Sequence, residues 1–420
     1  MSSAFKKADI LIPKNTDMTK WAVVACDQYT SQPEYWYETE RLAAGSKSAL
    51  NLILPEVYLE NPDVEMRIEK IHNNMTEYLE TDTFKELKNS LIYIERTQSD
   101  GKVRSGIVGA IDLEEYDYRK GSRSQVRATE ATVVERIPPR IKVREGAQIE
   151  LPHIMILIDD TEKTVIEPLA EKTGGMEKLY DFKLMQNGGS IKGWLLDEKS
   201  ADNVLAALEK LADLDSFNKK YGISETSPLV YAMGDGNHSL ATAKEYYERL
   251  KAKYPDKDMA HSPARYALAE IVDLHSPALE FEAIHRIVTG VDAQKLEEKV
   301  TEELELSDSI SAQKIVIVKN GVHKEKYVHK PLSKLAVGSL QTVLDRLLPE
   351  AGGKIDYIHG TEVVDRLSMN EDTIGFILPD MAKSELFPTV ICDGALPRKT
   401  FSMGHAEDKR FYVEARKIAE

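Results

Sequence analysis

Cysteine is nearly missing: Cys26 and Cys392 are the only two in 420 residues. They lie far apart and outside any Cys-x-x-Cys, so neither a disulfide framework nor a thiolate zinc site can be read, and both are expected to be reduced structural thiols. No run of apolar residues approaches membrane-spanning length. Lys6 and Lys7 are followed by too short an apolar stretch to make a signal peptide, so a cytoplasmic protein with no membrane partner is expected. A Gly-x-x-x-x-Gly-Lys-Ser/Thr loop, a His-Glu-x-x-His and a strand-linked Gly-x-Gly-x-x-Gly are also missing, as are repeats and low-complexity segments. Positive charge is in deficit, with 55 Lys and Arg against 70 Asp and Glu, a formal net charge of −15. Nucleic-acid affinity comes largely from neutralising phosphates, so nucleic acid is not an expected partner.

What is present is ordinary for a globular chain: 42% hydrophobic and 30% charged residues, which leaves disorder and coiled coil as poor explanations. Buried-strand runs alternate with amphipathic stretches and hairpin signals, giving an α/β chain with mixed sheets. The length suits about two or three domains. The texture divides it into an N-terminal α/β domain over 1–118, a central domain over 119–290 and a C-terminal α/β domain over 291–420.

The chemistry concentrates in 228–250, PLVYAMGDGNHSLATAKEYYERL. Residues 229–233 are an apolar and aromatic run that predicts a buried strand. From Leu240 onward, Leu240, Ala243, Tyr247 and Leu250 recur at helical spacing. Gly234 to Ser239 is the expected turn, with Asp235, Asn237 and Ser239 all N-cap types and two glycines that permit close backbone approach. Strand, glycine loop and helix in succession make a site for phosphate or carboxylate at the helix N-terminus. A well-capped turn is the plain alternative; the ionisable pair Asp235 and His238 in one turn favours a site.

Asp235-Gly236-Asn237-His238 is similar to the Asp-Gly-x-His-Arg loop of the ParB and sulfiredoxin superfamily, whose members bind nucleotides and include a free-serine kinase that uses ADP. Over nearly its whole length the chain resembles the bacterial and archaeal family known as domain of unknown function 1015. That family typically carries Asp-Gly-His-His-Arg before a helix, His-Glu-x-x-Thr upstream, a His-Arg pair downstream and Met-Pro-x-Lys-Ser-Thr near its end. Here Ser239 replaces the Arg, so a phosphate site needs its charge from elsewhere, with Arg265 or Arg286 as candidates. The resemblance points to Glu130 in Thr129-Glu130-Ala131-Thr132 as general base, although Thr129 stands where His is usual. It further points to His285-Arg286, and to Lys399 in Leu396-Pro397-Arg398-Lys399-Thr400. The implied fold is a ParB/sulfiredoxin-like nucleotide-binding core with additional α/β domains.

Four other features carry two readings each. Arg119, Lys120, Arg123 and Arg127, interleaved with Ser and Thr, are a phosphate clamp or a solvated loop. Asp159 and Asp160, after the apolar run from His153, are magnesium ligands at a strand end or turn residues. Asp27 faces a ligand or sits in a turn, and Lys399 reaches a phosphate or lies exposed. For secondary structure, an amphipathic helix is expected over 63–87, hairpins through Asp100-Gly101, Asn187-Gly188-Gly189 and Asn320-Gly321, a helix break over 135–140, and strands at 21–25 and 390–392.

The leading expectation is a nucleotide-dependent phosphotransferase acting on a small hydroxylated metabolite. Glu130, Asp235 and His238 are its catalytic residues, Asp235 holds Mg2+, and ADP or ATP is the nucleotide. Phosphate contacts come from Gly236, Asn237, Ser239, Arg127, His285, Arg286 and Lys399. The alternatives are a nucleotide or anionic-metabolite binding protein without turnover, and a metal-dependent hydrolase using Asp235, His238, His285 and His405.

Overall fold

A computed structural model describes residues 3–132 and 137–419. It divides into two compact units: Met1–Ala128, Thr132–Leu279 and His405–Glu420 form unit 1, and Thr129–Ala131 with Glu280–Gly404 form unit 2. The architecture is α/β with mixed sheets, as the sequence predicts.

Unit 1 is built on a sheet of ten strands among the described residues, running Glu177–Lys183, Ser190–Leu195, Ile92–Thr97, Val103–Asp112, Tyr266–Asp273, Met155–Ile158, Tyr231–Asp235, Val126–Arg127 and Tyr116–Asp117, with Phe5–Lys6 beside Val103–Asp112. Both faces are apolar, which is why its central strands read as near-continuous hydrophobic runs. Val108, Ala110 and Leu268 face one core, shared with Ile68, Ile71 and Met75 of the helix Val64–Glu80. Their chain neighbours Ile107, Ile111, Ala267 and Ala269 face the other, shared with Val204 and Leu208 of the helix Glu198–Leu211 and Leu240 and Tyr247 of the helix Asn237–Lys253. The alternation of side chains along a strand produces this division.

The expected hairpins form. Ile92–Thr97 pairs Val103–Asp112 around Gly101 at φ 84°, and Glu177–Lys183 pairs Ser190–Leu195 around Asn187 and Gly189, at φ 61° and 75°. Several expectations need correction. The helix expected over 63–87 ends at Glu80, and Phe84–Ser90 is a strand pairing Ala8–Pro13; Thr81 and Thr83, β-branched and polar, mark the break. Residues 390–392 lie in the helix Lys383–Asp393, where burial of Leu386, Phe387 and Val390 overrides β propensity. Only Val23–Val24 of 21–25 is strand. Pro138 and Pro139 open the helix Ile137–Arg144 instead of breaking one, since first-turn N–H groups need no intrahelical partner; Glu135 and Arg136 fall outside the described residues.

The segment 405–419 is threaded through unit 1 by buried charge. Arg410 bonds Glu270 at 2.8 Å, Glu414 at 2.9 Å and the Pro152 carbonyl at 2.6 Å. Arg104 meets the other Glu270 oxygen at 3.3 Å and the Asp408 carbonyl at 3.1 Å, and Tyr180 donates to Glu414. Arg416 and Arg144 bracket Glu150 at 2.9 and 2.6 Å. The strand Phe411–Tyr412 then pairs Val23–Val24.

In unit 2, five antiparallel strands run in the order Val322–Val328, Gln313–Lys319, Thr373–Ile377, His285–Thr289 and Lys354–Ile358. Ile287, Val318, Ile358 and Val364 form a core there. The Gln313–Lys319 to Val322–Val328 hairpin turns through Asn320 and Gly321, both at positive φ.

Truncating Arg410 to Ala leaves Glu270 and Glu414 buried with reduced compensation, which is expected to cost about 3–5 kcal/mol in urea unfolding, whereas Lys85→Ala at the exposed pair with Glu177 costs under about 1 kcal/mol. Burial alone would raise the Glu270 carboxyl, but Arg104 and Arg410 outweigh it and hold it below the usual range. Its contribution is therefore present above the unfolded value near 4.3 and is lost as pH falls through the lower folded value. Glu270→Gln should shrink that acid-side loss, read as urea midpoints from pH 6 downward.

Candidate functional site

Strand Tyr231–Asp235 and helix Asn237–Lys253 are joined by Gly236 alone, the N-cap residue, at φ 75°. The turn is thus shorter than expected and the helix starts three residues earlier. Asp235, Asn237 and Ser239 do not cap it by side chain; Asp235 accepts instead from the Gly236 N–H at 3.0 Å. A Cβ on Gly236 would lie 2.9 Å from Ile154 Cα, and one on Gly234 3.0 Å from Leu157 Cγ. Those glycines let the turn pack against the neighbouring strand, so their small size serves the fold. The strands are antiparallel, with Met155 opposite Asp235, and this places His153, just before Met155–Ile158, beside the helix start.

There a compact polar group assembles. Ser239 Oγ bonds His153 Nε2 at 2.9 Å, and His153 Nδ1 bonds the Tyr412 hydroxyl at 2.7 Å, which also takes the Cys26 N–H at 3.0 Å. Asp27 Oδ2 lies 3.9 Å from His153 Nε2, and Lys409 Nζ lies 3.5 Å from Asp235 Oδ2. Burial would raise the Asp27 carboxyl; His153, a bond from Gln28 and the charge of Lys409 overcome this and hold it below its ordinary value. The result is two carboxylates, a lysine and a buried imidazole around the positive end of a helix dipole. Sequence reasoning treated Asp27 mainly as a turn residue and missed His153, Tyr412 and Lys409. His153 was visible only as the head of an apolar run, and Lys409 and Tyr412 sit in a segment with no motif.

The other expected residues stand elsewhere or in other roles. His238 lies in the first turn and its carbonyl accepts from Thr242 Oγ1 at 2.7 Å; Asn237 Nδ2 reaches Thr132 Oγ1 at 3.4 Å. Arg127 is buried, bonding the carbonyls of Ser124 at 2.8 Å and Ser227 at 3.0 Å. Arg119 binds Asp117 and Arg123 stands 3.9 Å from Glu225, so the basic cluster does not converge. Arg265, a candidate for the missing charge, makes a fork with Asp112 at 2.9 and 2.6 Å.

Glu130, His285, Arg286 and Lys399 belong to unit 2, whereas Asp235 and His238 belong to unit 1. Arg286 is fully buried, donates to Gln341 and to the carbonyls of Ile284, Lys399 and Arg398 at 2.5–3.1 Å, and stacks on Tyr357. Burial pushes its guanidinium down to about 10, still charged at neutral pH. It therefore shapes the 398–400 turn, in which Lys399 holds a left-handed φ of 56°. Burial raises the Glu130 carboxyl against the pull of the Lys399 and Thr400 amides. His285 Nδ1 accepts the Leu378 N–H at 3.2 Å, and burial lowers this imidazole, favouring its neutral form.

Asp159 and Asp160 lie at the opposite end of Met155–Ile158 from His153. Asp160 accepts the N–H groups of Thr164 and Val165 at 2.6 and 2.8 Å; Asp159 binds His275 at 2.6 Å, Lys220 at 2.9 Å and Tyr221. Both serve the turn. Among the described residues no group of three or more His, Cys, Asp or Glu is placed to hold a metal ion, which leaves the hydrolase reading without a ligand set.

Residues 9–348 match the model of a family described as "Protein of unknown function (DUF1015)". The chain belongs to the DUF1015 family. Solved structures similar to this DUF1015 protein include a conserved hypothetical protein from Pyrococcus furiosus, at 12% identity, TM-score 0.35, covering 76% of this chain and 96% of that one. A free serine kinase in complex with AMP matches at 12% identity and TM-score 0.38, covering 76% and 93%. SbnI from Staphylococcus aureus, truncated at its C-terminus, matches at 9% identity and TM-score 0.34, covering 71% and 82%. A comparison with curated proteins finds no match.

Near Asp159, burial and the neighbouring Glu167 push the Asp273 carboxyl up to about 7. The folded state thus holds its proton more tightly, and the stability this gives is full below about 3.9 and lost as pH rises through 7. Asp273→Asn should flatten the decline in melting temperature between pH 5 and 8 and raise the value at pH 8 by about 1–2 °C, on the order of 1 kcal/mol.

Proposed function

We propose that this DUF1015 protein binds a nucleoside di- or triphosphate at the start of the helix Asn237–Lys253 and transfers its terminal phosphoryl group to a small hydroxylated metabolite. The observation that carries the reading is Lys409 set against Asp235 at the head of that helix. The loop lacks the Arg usual in the family it resembles; Lys409 supplies a cation beside Asp235 instead, and a cation beside a helix N-terminus favours phosphate. Gly236, Asn237 and Ser239 border the phosphates, and His238 orients them from the first turn.

Magnesium is commonly bound through one or two carboxylates plus substrate phosphates, and Asp235 fits that requirement; when bound, the ion neutralises phosphate charge. Phosphoryl transfer needs positioning and electrostatic stabilisation more than covalent help. The acceptor oxygen forms a bond to the terminal phosphorus as the bond to the bridging oxygen breaks. Asp27, held ionised beside His153, takes the acceptor proton, and the leaving nucleotide keeps the electron pair of the broken bond, its charge met by Lys409 and the helix dipole. The ionised carboxylate of a kinase catalytic loop plays the same part.

Binding without turnover is the second reading, favoured by the commitment of both arginines once considered for the phosphates, Arg265 to Asp112 and Arg286 to backbone carbonyls. Thermal-shift titration with ADP and ATP, with and without magnesium, tests the site: saturating nucleotide at 100 times its Kd adds about 2.7 kcal/mol. Lys409→Ala should weaken binding roughly tenfold, and Asp27→Asn should leave binding intact while reducing phosphorylated product at least 100-fold. Stabilisation with no product from any hydroxylated metabolite favours the binding protein. No stabilisation by millimolar ADP or ATP refutes both.

A further inference from the structure

The first turn of the helix Asn237–Lys253 also forms part of the wall of a cavity of about 150 Å³ in unit 1. Apolar side chains, Leu54, Met75, Val143, Leu268 and Ile418 among them, supply most of its lining. The charged groups there are closed into pairs, Arg140 with Glu56 at 2.8 Å and Arg144 with Glu150 at 2.6 Å. Cys26 is a neutral thiol, its acidity suppressed by burial.

At one point this wall carries a polar chain. Burial raises the Tyr412 phenol far above its ordinary value, so it stays protonated. Its oxygen takes the Cys26 N–H at 3.0 Å and shares a hydrogen bond with His153 Nδ1 at 2.7 Å. On its other side the imidazole Nε2 bonds Ser239 Oγ at 2.9 Å. Among the described residues the Ser239 hydroxyl has no other partner, so it keeps hydrogen-bonding capacity for an occupant's hydroxyl.

We infer that this cavity holds a small primary alcohol with an apolar body on the order of six carbons, its hydroxyl against Ser239. A cavity of this size lined by aliphatic side chains accommodates a molecule such as benzene. A polyol would bury hydroxyls with nothing to bond, at about 1–3 kcal/mol each. Ser239 and His153 belong both to this wall and to the polar group at the helix start, so the alcohol oxygen is presented beside Asp27. Its role as phosphoryl acceptor rests on the function proposed above; its binding does not.

Calorimetry on the full chain with 1-hexanol, benzyl alcohol, toluene and glycerol tests this. The two alcohols should bind saturably and glycerol should not. Val143→Phe, which fills the cavity, should weaken hexanol at least tenfold. Ser239→Ala should weaken benzyl alcohol several-fold and leave toluene unchanged, a difference that a mere loss of packing would not give. Failure of both alcohols to bind the wild type, or tight binding of glycerol, overturns the inference even if ADP stabilises the protein. Alcohol binding without any effect of ADP supports the cavity's ligand class and refutes its acceptor role. Formation of hexyl phosphate from ATP supports both.

Discussion

Unit 1 depends on one buried ionic network, in which Glu270 is shared by Arg104 and Arg410, and Arg410 in turn holds Glu414. Charges removed from water are costly unless each finds close opposite charge and hydrogen bonds. Here the partners come from the sheet strands Val103–Asp112 and Tyr266–Asp273 on one side and from the segment 405–419 on the other. Displacing that segment would strand these buried donors and acceptors, so the network ties down where it runs. Two residues along it, Lys409 and Tyr412, are thereby fixed at the helix start. Lys409 immediately precedes Arg410, so the most buried cation of the segment sets the position of the one at the site.

The same logic separates structural cations from available ones. Arg127, Arg265 and Arg286 all looked like phosphate ligands because arginine suits that task. Each proves to hold protein groups: carbonyls for Arg127 and Arg286, the Asp112 carboxylate for Arg265. Burial decides this for Arg127 and Arg286. A buried guanidinium has five N–H groups to satisfy, and the surrounding backbone supplies acceptors before any ligand can.

Much of the fold was legible because local chemistry and tertiary structure agree. Asp100-Gly101 and Asn187-Gly188-Gly189 turn where they should because those positions take positive φ. The apolar runs at 155–158 and 229–233 mark central strands covered on both faces. The strand at 84–90 and the helix at 383–393 were not legible, because the partner Ala8–Pro13 and the burial of Phe387 decide them from a distance. In the site, Asp235 and its loop announced themselves by glycine spacing and an ionisable pair. Asp27, His153, Lys409 and Tyr412 had no local signature, since three widely separated segments contribute them and only the sheet register and the ionic network bring them together.

That assembly bears on how an acidic protein could hold the phosphates proposed above. With a formal net charge of −15, the long-range field opposes an anionic ligand, and salt screens it over about 8–10 Å. Within that distance the balance is local: a lysine, a buried imidazole and a helix dipole against two carboxylates. The carboxylates would repel phosphate if they faced it bare, yet Asp27 is compensated by His153 and Lys409, and Asp235 accepts the Gly236 N–H and lies beside Lys409. A divalent cation on Asp235 would turn the remaining repulsion into attraction. The nucleotide binding proposed at this helix should therefore depend on magnesium more steeply than binding at a site built from arginines, because a bound cation would supply charge that an arginine in the loop would otherwise carry.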